Sequence, residues 1–424
     1  MKQLLIVLLV CINTIYAANS FYPQEESNGQ INSELIYLET HVIPNDSLMN
    51  VYISYKISFE NLVFVKQGNE YKAGLSLYVD LYRDEIVVSR GSTQKNVTVE
   101  DYDKTNSSSD YLQGIINLNV PKDNYKVIPT LSIDNTQRTI VLKEFNILHE
   151  REYDDEFIRP IVAEMLSEEC WENSAYQLSN TKNYIPFSPH DYDLIIPVMD
   201  QSVSTVDVKI KQDNYVVNYT LDNSVNASSI YFEECNNNVI LHTLNGNKSI
   251  KLFKLSSVNL KLTEGIAEVT VTVNIEKSKV FSFNVVWIDK PQSLGNAEYA
   301  IKMLKGITSE EVIDKLLDSK TEDYYKKLTE FWSKRDPKKN TSFNELMAEY
   351  YSRVDYANNN YSTKDKLGAS MDRGKIFIKL GQPSDIRRVF YDKGNVVEIW
   401  HYDKLAKDFY FSDTSGLGNF SLMN

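Results

Sequence analysis

Thr270-Val271-Thr272-Val273-Asn274 and, a few residues on, Phe281-Ser282-Phe283-Asn284-Val285 decide how the chain is read. Apolar and polar side chains alternate through both runs, the signature of strands with one face buried. Glu276-Lys277-Ser278-Lys279 between them reads as the tip of a hairpin. Working back from this hairpin, similar runs recur at Tyr192 to Val198, Thr205 to Ile210, Tyr215 to Leu221, Val239 to Leu244 and Ile250 to Leu255. No helical period separates them, so their number and spacing predict an antiparallel sandwich.

Earlier still, from Ser33 to about Leu148, Val51-Tyr52-Ile53-Ser54-Tyr55-Lys56-Ile57-Ser58-Phe59 and Tyr71 to Tyr82 have the same alternation. Gln67-Gly68-Asn69-Glu70, Asp103 to Asp110 and Pro121-Lys122-Asp123-Asn124 supply turns, and the region reads as a second sandwich of immunoglobulin-like size. Between the two β regions, residues 150–184 read as an irregular bridge, and Glu150 to Glu156 as a solvated acidic linker.

With 45 basic and 58 acidic side chains in 424 residues, the net charge of -13 argues against a sequence-independent grip on nucleic acid or anionic lipid. Aromatic residues at 12% exclude a disordered chain. Met1-Lys2-Gln3, the apolar run Leu4 to Ile12 and Ala17-Ala18 together predict a secretory signal peptide over residues 1–18. Val10 before Cys11 argues against lipidation there. No later stretch is long and uncharged enough to span a bilayer, so a soluble product, periplasmic or extracellular, is expected. Cys170 and Cys235 remain as either one disulfide or two thiols, because spacing does not fix their distance.

After Asp289-Lys290-Pro291 the period changes. Ala297 to Leu304, Ser309 to Leu317 and Asp323 to Trp332 carry apolar residues three and four apart. A further helix starts at Ser342-Phe343-Asn344-Glu345, with Leu346, Tyr350, Val354 and Ala357 on one stripe and Glu349 and Arg353 four apart. Lys375 to Leu380 reads as a strand stopped by Gly381-Gln382-Pro383. Val396 to Tyr402 and Phe409 to Phe411 read as closing strands. The expected layout is therefore multidomain: β-sandwich modules over 19–149 and 185–289, the bridge 150–184, and an α+β domain over 290–424.

Arg335-Asp336-Pro337, Asn344-Glu345, Tyr350-Tyr351, Arg353-Val354, Tyr356-Ala357-Asn358, Gly368, Asp372-Arg373-Gly374, Gly381, Pro383 and Ile399-Trp400 follow one another in an order that resembles the GWxTD domain, a family of secreted bacterial proteins. The resemblance covers about Leu294 to Leu422. It implies export and accompanying sandwich modules, and it brings no biochemical activity with it. Gly368-Ala369-Ser370-Met371-Asp372 stands where the naming motif has Gly-Trp-x-Thr-Asp, so the Trp and Thr are absent.

Arg335, Asp336, Asn344, Glu345, Arg353, Gly368, Asp372, Arg373, Gly374, Gly381, Pro383 and Trp400 are the candidate residues. Carboxylate and guanidinium pairs of this kind usually lock loops. Asp336, Glu345 and Asp372 are the acids that a hydrolase would use, and glycoside hydrolysis would require two of them about 5 to 10 Å apart. His41, His149, His190, His242 and His401 show no zinc-binding spacing, and no nucleophile elbow or phosphate loop occurs. Gly416-Leu417-Gly418 reads as a terminal turn. No metal or cofactor is expected. The sequence favours a secreted, non-catalytic interaction or scaffold protein whose partner is an envelope protein or a surface polysaccharide; an extracellular or periplasmic hydrolase is the alternative.

Overall fold

A computed structural model describes residues 36–45, 47–165, 170, 175–247, 250–274, 277–391 and 395–423. The predicted signal peptide lies outside them. The described chain is rich in strands arranged in several antiparallel sheets, with helices concentrated after residue 296.

Ile36–Asn45, Leu48–Ser58 and Tyr111–Pro121 form a three-stranded sheet. Facing it is a sheet built around the long strand Glu70–Arg83, whose neighbours include Ile86–Val99 and Tyr125–Ile133. Leu75, Leu77, Val79 and Leu81 all point inward from that strand, at the spacing of two that strand geometry imposes. The turn into Ile86–Val99 is made by Asp84 and Glu85, both at positive φ (48° and 65°), the conformation that a tight two-residue hairpin turn requires.

A seven-stranded sheet has Asp193–Val198 near its centre, between Ile250–Leu255 and Ile161–Glu164. Both of its faces are buried. Leu194, Ile196 and Val198 join Val206, Val208 and Ile210 of a five-stranded sheet, whereas Ile195 joins the core of the first β region. Double-sided burial explains why Leu194-Ile195-Ile196 is continuously apolar instead of alternating. The first core runs without interruption into this sheet: Tyr52 packs edge-on against Phe232 with ring centroids 5.0 Å apart.

Three expectations change here. The stretch expected to be an irregular bridge contributes Ile161–Glu164 and Tyr176–Leu178 to the seven-stranded sheet. They are too short, at four and three residues, to show a period on their own. The acidic segment is docked rather than solvated: Lys279 Nζ lies 2.8 Å from Asp154 Oδ2, Lys277 pairs with Glu156, and Asp154 Oδ1 accepts the Phe157 amide at 2.8 Å. The hairpin that opens the reading is present, with Val273 opposite Lys277, so Lys277-Ser278-Lys279 belongs to the strand Lys277–Val286 rather than to the tip.

Beyond it, helices Ala297–Met303, Glu310–Leu317, Tyr324–Ser333, Glu345–Tyr361 and Asp372–Leu380 enclose an aromatic core against a sheet of Asp385–Phe390, Val396–Tyr402, Lys407–Asp413 and Ser421–Leu422. Lys375 to Leu380 is thus helical, contrary to the strand expectation. Arg373, Gly374, Phe377 and Ile378 form the buried stripe and Gly381, at φ 80°, ends the helix. On the long helix the stripe is Met347, Tyr350, Tyr351, Val354, Ala357, Asn358 and Tyr361; Leu346, expected on it, is exposed. No helix among the described residues is long and apolar enough to cross a membrane.

Candidate functional site

The landmark residues after position 330 come together mainly as packing and hydrogen-bonding devices. Asn344 caps the long helix: its Oδ1 accepts the Met347 amide at 2.8 Å, while its Nδ2 donates to the Trp332 carbonyl at 2.9 Å and so ties the end of one helix to the start of the next. Arg335 lies over the Phe331 ring, 3.6 Å from its centroid, and donates to the Phe331 carbonyl. Asp336 accepts the Lys338 amide, and Lys338 Nζ reaches Glu345 at 2.6 Å. Arg353 pairs with Glu349 at 2.6 Å, as their spacing predicts.

The glycines mark contacts that admit no side chain. A Cβ at Gly368 would stand 1.8 Å from the Ala357 carbonyl oxygen, and one at Gly374 would stand 1.9 Å from that of Gly368. The turn Gly368–Ser370 is therefore wedged between two helix backbones. Asn358 fastens it, accepting the Ala369 amide at 3.0 Å. Gly381 receives the Tyr402 hydroxyl on its carbonyl at 2.9 Å, and Pro383 follows as the chain turns into the sheet. The Thr of the naming motif falls on Met371, the residue that precedes the helix Asp372–Leu380 and makes no side-chain cap. The Trp falls on Ala369, which is buried.

A buried group of charges surrounds Glu398. Its carboxylate, 2% exposed, accepts from Arg388 Nε at 2.7 Å and Trp400 Nε1 at 2.8 Å and faces Arg373 Nη1 at 3.4 Å. Burial alone would raise its pKa, but the bonds from Arg388 and Trp400 and the Arg373 charge hold it below the ordinary carboxylate range. The Arg373 guanidinium lies 4.0 Å from the centroid of Phe420 and 5.0 Å from that of Tyr361, and donates to the Gly418 carbonyl at 3.3 Å. Asp372 accepts the Leu422 amide at 3.1 Å, the main reason its pKa is lowered, and Lys375 at 3.0 Å. Asp413 gathers the amides of Ser415, Gly416 and Gly418, which makes the Gly416-Leu417-Gly418 stretch a carboxylate-capped turn. Trp400 is fully buried. Asp336 and Glu345 on one side and Asp372 and Arg373 on the other share no hydrogen bond or ion pair among the described residues.

Cys170 and Cys235 are bonded, with sulfurs 2.12 Å apart. Next to Cys235, Glu234 and Asn237 reach the edge of the strand Tyr111–Pro121: Glu234 Oε1 accepts the Ile115 amide at 2.9 Å, and Asn237 takes the Gln113 amide and donates to the Tyr111 carbonyl. Among the described residues no cluster of three or more His, Cys, Asp or Glu is placed to hold a metal.

Sequence reasoning did not find the cleft where the two β regions and the helices meet, an opening of ≈ 370 Å³. Lys56 and Tyr111 come from the three-stranded sheet, Tyr192 from the approach to Asp193–Val198, Asp289 from the end of the hairpin, and Phe343 from the start of the long helix. Tyr111 donates its hydroxyl to Asp289 Oδ1 at 3.3 Å. Desolvation lowers the Lys56 pKa and raises that of Asp289, although Asp289 still reaches solvent. These residues lie far apart in the chain, so no local pattern announces them.

No curated protein matches the chain. Residues 270–417 match the family model described as the GWxTD domain, beginning earlier than the expected Leu294 and taking in the hairpin. The glycine contacts, the helix cap and the buried Arg373–Glu398 pair all lie inside this span, the part of the chain that is similar to the GWxTD domain.

Proposed function

We propose that the chain is an exported, non-catalytic interaction or scaffold protein of the bacterial cell envelope, built as two immunoglobulin-like β-sandwich modules followed by an α+β unit. One observation carries this reading: Asp336, Asp372, Arg373 and Glu398 are engaged by backbone, ring and ion partners of the same chain. A carboxylate that must move protons needs a reachable substrate and a tuned pKa. Asp372 instead ties down the C-terminal strand, and its pKa is lowered, away from the range of a general acid. The sheets offer loops and edges, the surfaces by which all-β modules bind partners. Export supplies the oxidising compartment in which a Cys170–Cys235 disulfide persists.

The test is incubation of the mature chain with envelope glycans and peptides. Inert wild-type protein and inert Asp372→Ala support the reading. Turnover by the wild type that is lost in Asp372→Ala overturns it.

A further inference from the structure

The three-way cleft contains polar groups that its own walls leave partly unused. Lys56 Nζ donates to the Ser179 carbonyl at 3.1 Å and lies 4.6 Å from the centroid of the Tyr111 ring, with no carboxylate in ion-pair contact among the described residues. An ammonium has three donors, so hydrogens remain for a ligand. Asp289 receives Tyr111 on one oxygen, and its second oxygen has no partner among the described residues. One side of the cleft is apolar: the half-buried Phe187 packs edge to face on the buried Trp287 and Phe343, with centroids 5.0 to 5.8 Å apart among the three rings.

This mixture selects a ligand class. An anion would meet Asp289, Glu345 and Glu349 in the lining, and a cation would meet Lys56. A hydroxyl both donates and accepts, so a polyhydroxylated ligand satisfies the ammonium and the carboxylate together. Sugars also present an apolar face of C–H groups, which suits an aromatic wall. The volume, ≈ 370 Å³, lies in the small-ligand range. Desolvation lowers the Lys56 pKa, a penalty on its charged form that new hydrogen bonds from a ligand would offset.

We propose that the cleft binds a short segment of neutral glycan, with Lys56 and Asp289 holding hydroxyls and the half-buried Phe187 ring, backed by Trp287 and Phe343, meeting the apolar sugar face. The inference rests on the interaction-protein reading and gives it a ligand class.

The test uses the mature chain and an array of neutral glucan, mannan and N-acetylglucosamine oligosaccharides, with oligolysine and polygalacturonate as charged comparisons. The best oligosaccharide is then titrated by calorimetry. Lys56→Met and Asp289→Asn should each weaken binding roughly tenfold or more, the worth of a hydrogen bond to a charged group. His190→Ala, at the exposed rim, should weaken it without endangering the fold, and Lys404→Ala, exposed and outside the cleft, should leave it unchanged. The proposal is overturned if no neutral oligosaccharide binds, if only a charged polymer binds, or if Lys56→Met, Asp289→Asn and His190→Ala bind as tightly as wild type in folded protein. Capture of an envelope partner without glycan binding removes the cleft alone, whereas glycan turnover lost in Asp372→Ala removes the underlying reading.

Discussion

Replacing Glu398 by alanine should be among the most damaging single changes in the C-terminal segment. The substitution leaves the Arg373 guanidinium, 8% exposed, without its carboxylate, and the fully buried Trp400 indole N–H without its acceptor. Removing one partner of a buried pair costs about 3–5 kcal/mol, and an orphaned buried donor alone costs about 1–3 kcal/mol. These costs overlap, so about 3–5 kcal/mol is expected for the whole change. Arg388 projects into solvent, and Arg388→Ala should cost less than about 1 kcal/mol. Glu398→Gln keeps an acceptor for Trp400 and should fall between the two. Removing both charges, as in Arg373→Met with Glu398→Leu, should recover part of the loss seen in Glu398→Ala. The readouts are urea unfolding by tryptophan fluorescence and hydrogen exchange in the strand Val396–Tyr402, which localises the change in a chain that need not unfold in one step. Because the folded pKa of Glu398 is lowered, its contribution is complete above the ordinary value of 4.5 and is lost as pH falls through the lowered one. Glu398→Gln should therefore flatten the acid limb of the stability profile. A loss below about 1 kcal/mol for Glu398→Ala, or a double variant weaker than Glu398→Ala, would refute the reasoning.

Gly374→Ala places a methyl against the Gly368 carbonyl, and overpacking of that kind should cost about 1–3 kcal/mol or more, measured by thermal unfolding. Asn344→Ala should lose about 1 kcal/mol with the helix cap, and Asn344→Asp should retain most of it, as urea midpoints will show. Opening the Cys170–Cys235 bond, which spans 65 residues, should cost about 4 kcal/mol on the chain-entropy model; comparing Cys235→Ser with wild type, oxidised and reduced, measures it.

Much of the β architecture was legible because half-buried strands write their burial into alternation, as in the hairpin Gly265–Val273 to Lys277–Val286. The helix Glu345–Tyr361 was legible from its cap and its long stripe. The helix Asp372–Leu380 was misread because Lys-Ile-Phe-Ile-Lys-Leu is a short, mostly apolar run rich in β-branched and aromatic residues, which fits a strand as well as a helical face when only six residues are counted. Its start in an acidic first turn and its stop at Gly381 were the better signals. The candidate residues were located by their order, but their work is done by backbone proximity, such as the absent Cβ of Gly368 and Gly374, which no spacing rule reveals. The cleft joins residues as distant as Lys56 and Phe343 and exists only once the sheets and helices are assembled.

Recovery of the tagged chain from envelope extract is the most direct measurement of the central claim. The account predicts a stoichiometric envelope partner or bound polysaccharide, retained equally by wild type and Asp372→Ala. Recovery of the chain alone, with glycan or peptide turnover that Asp372→Ala abolishes, would contradict it.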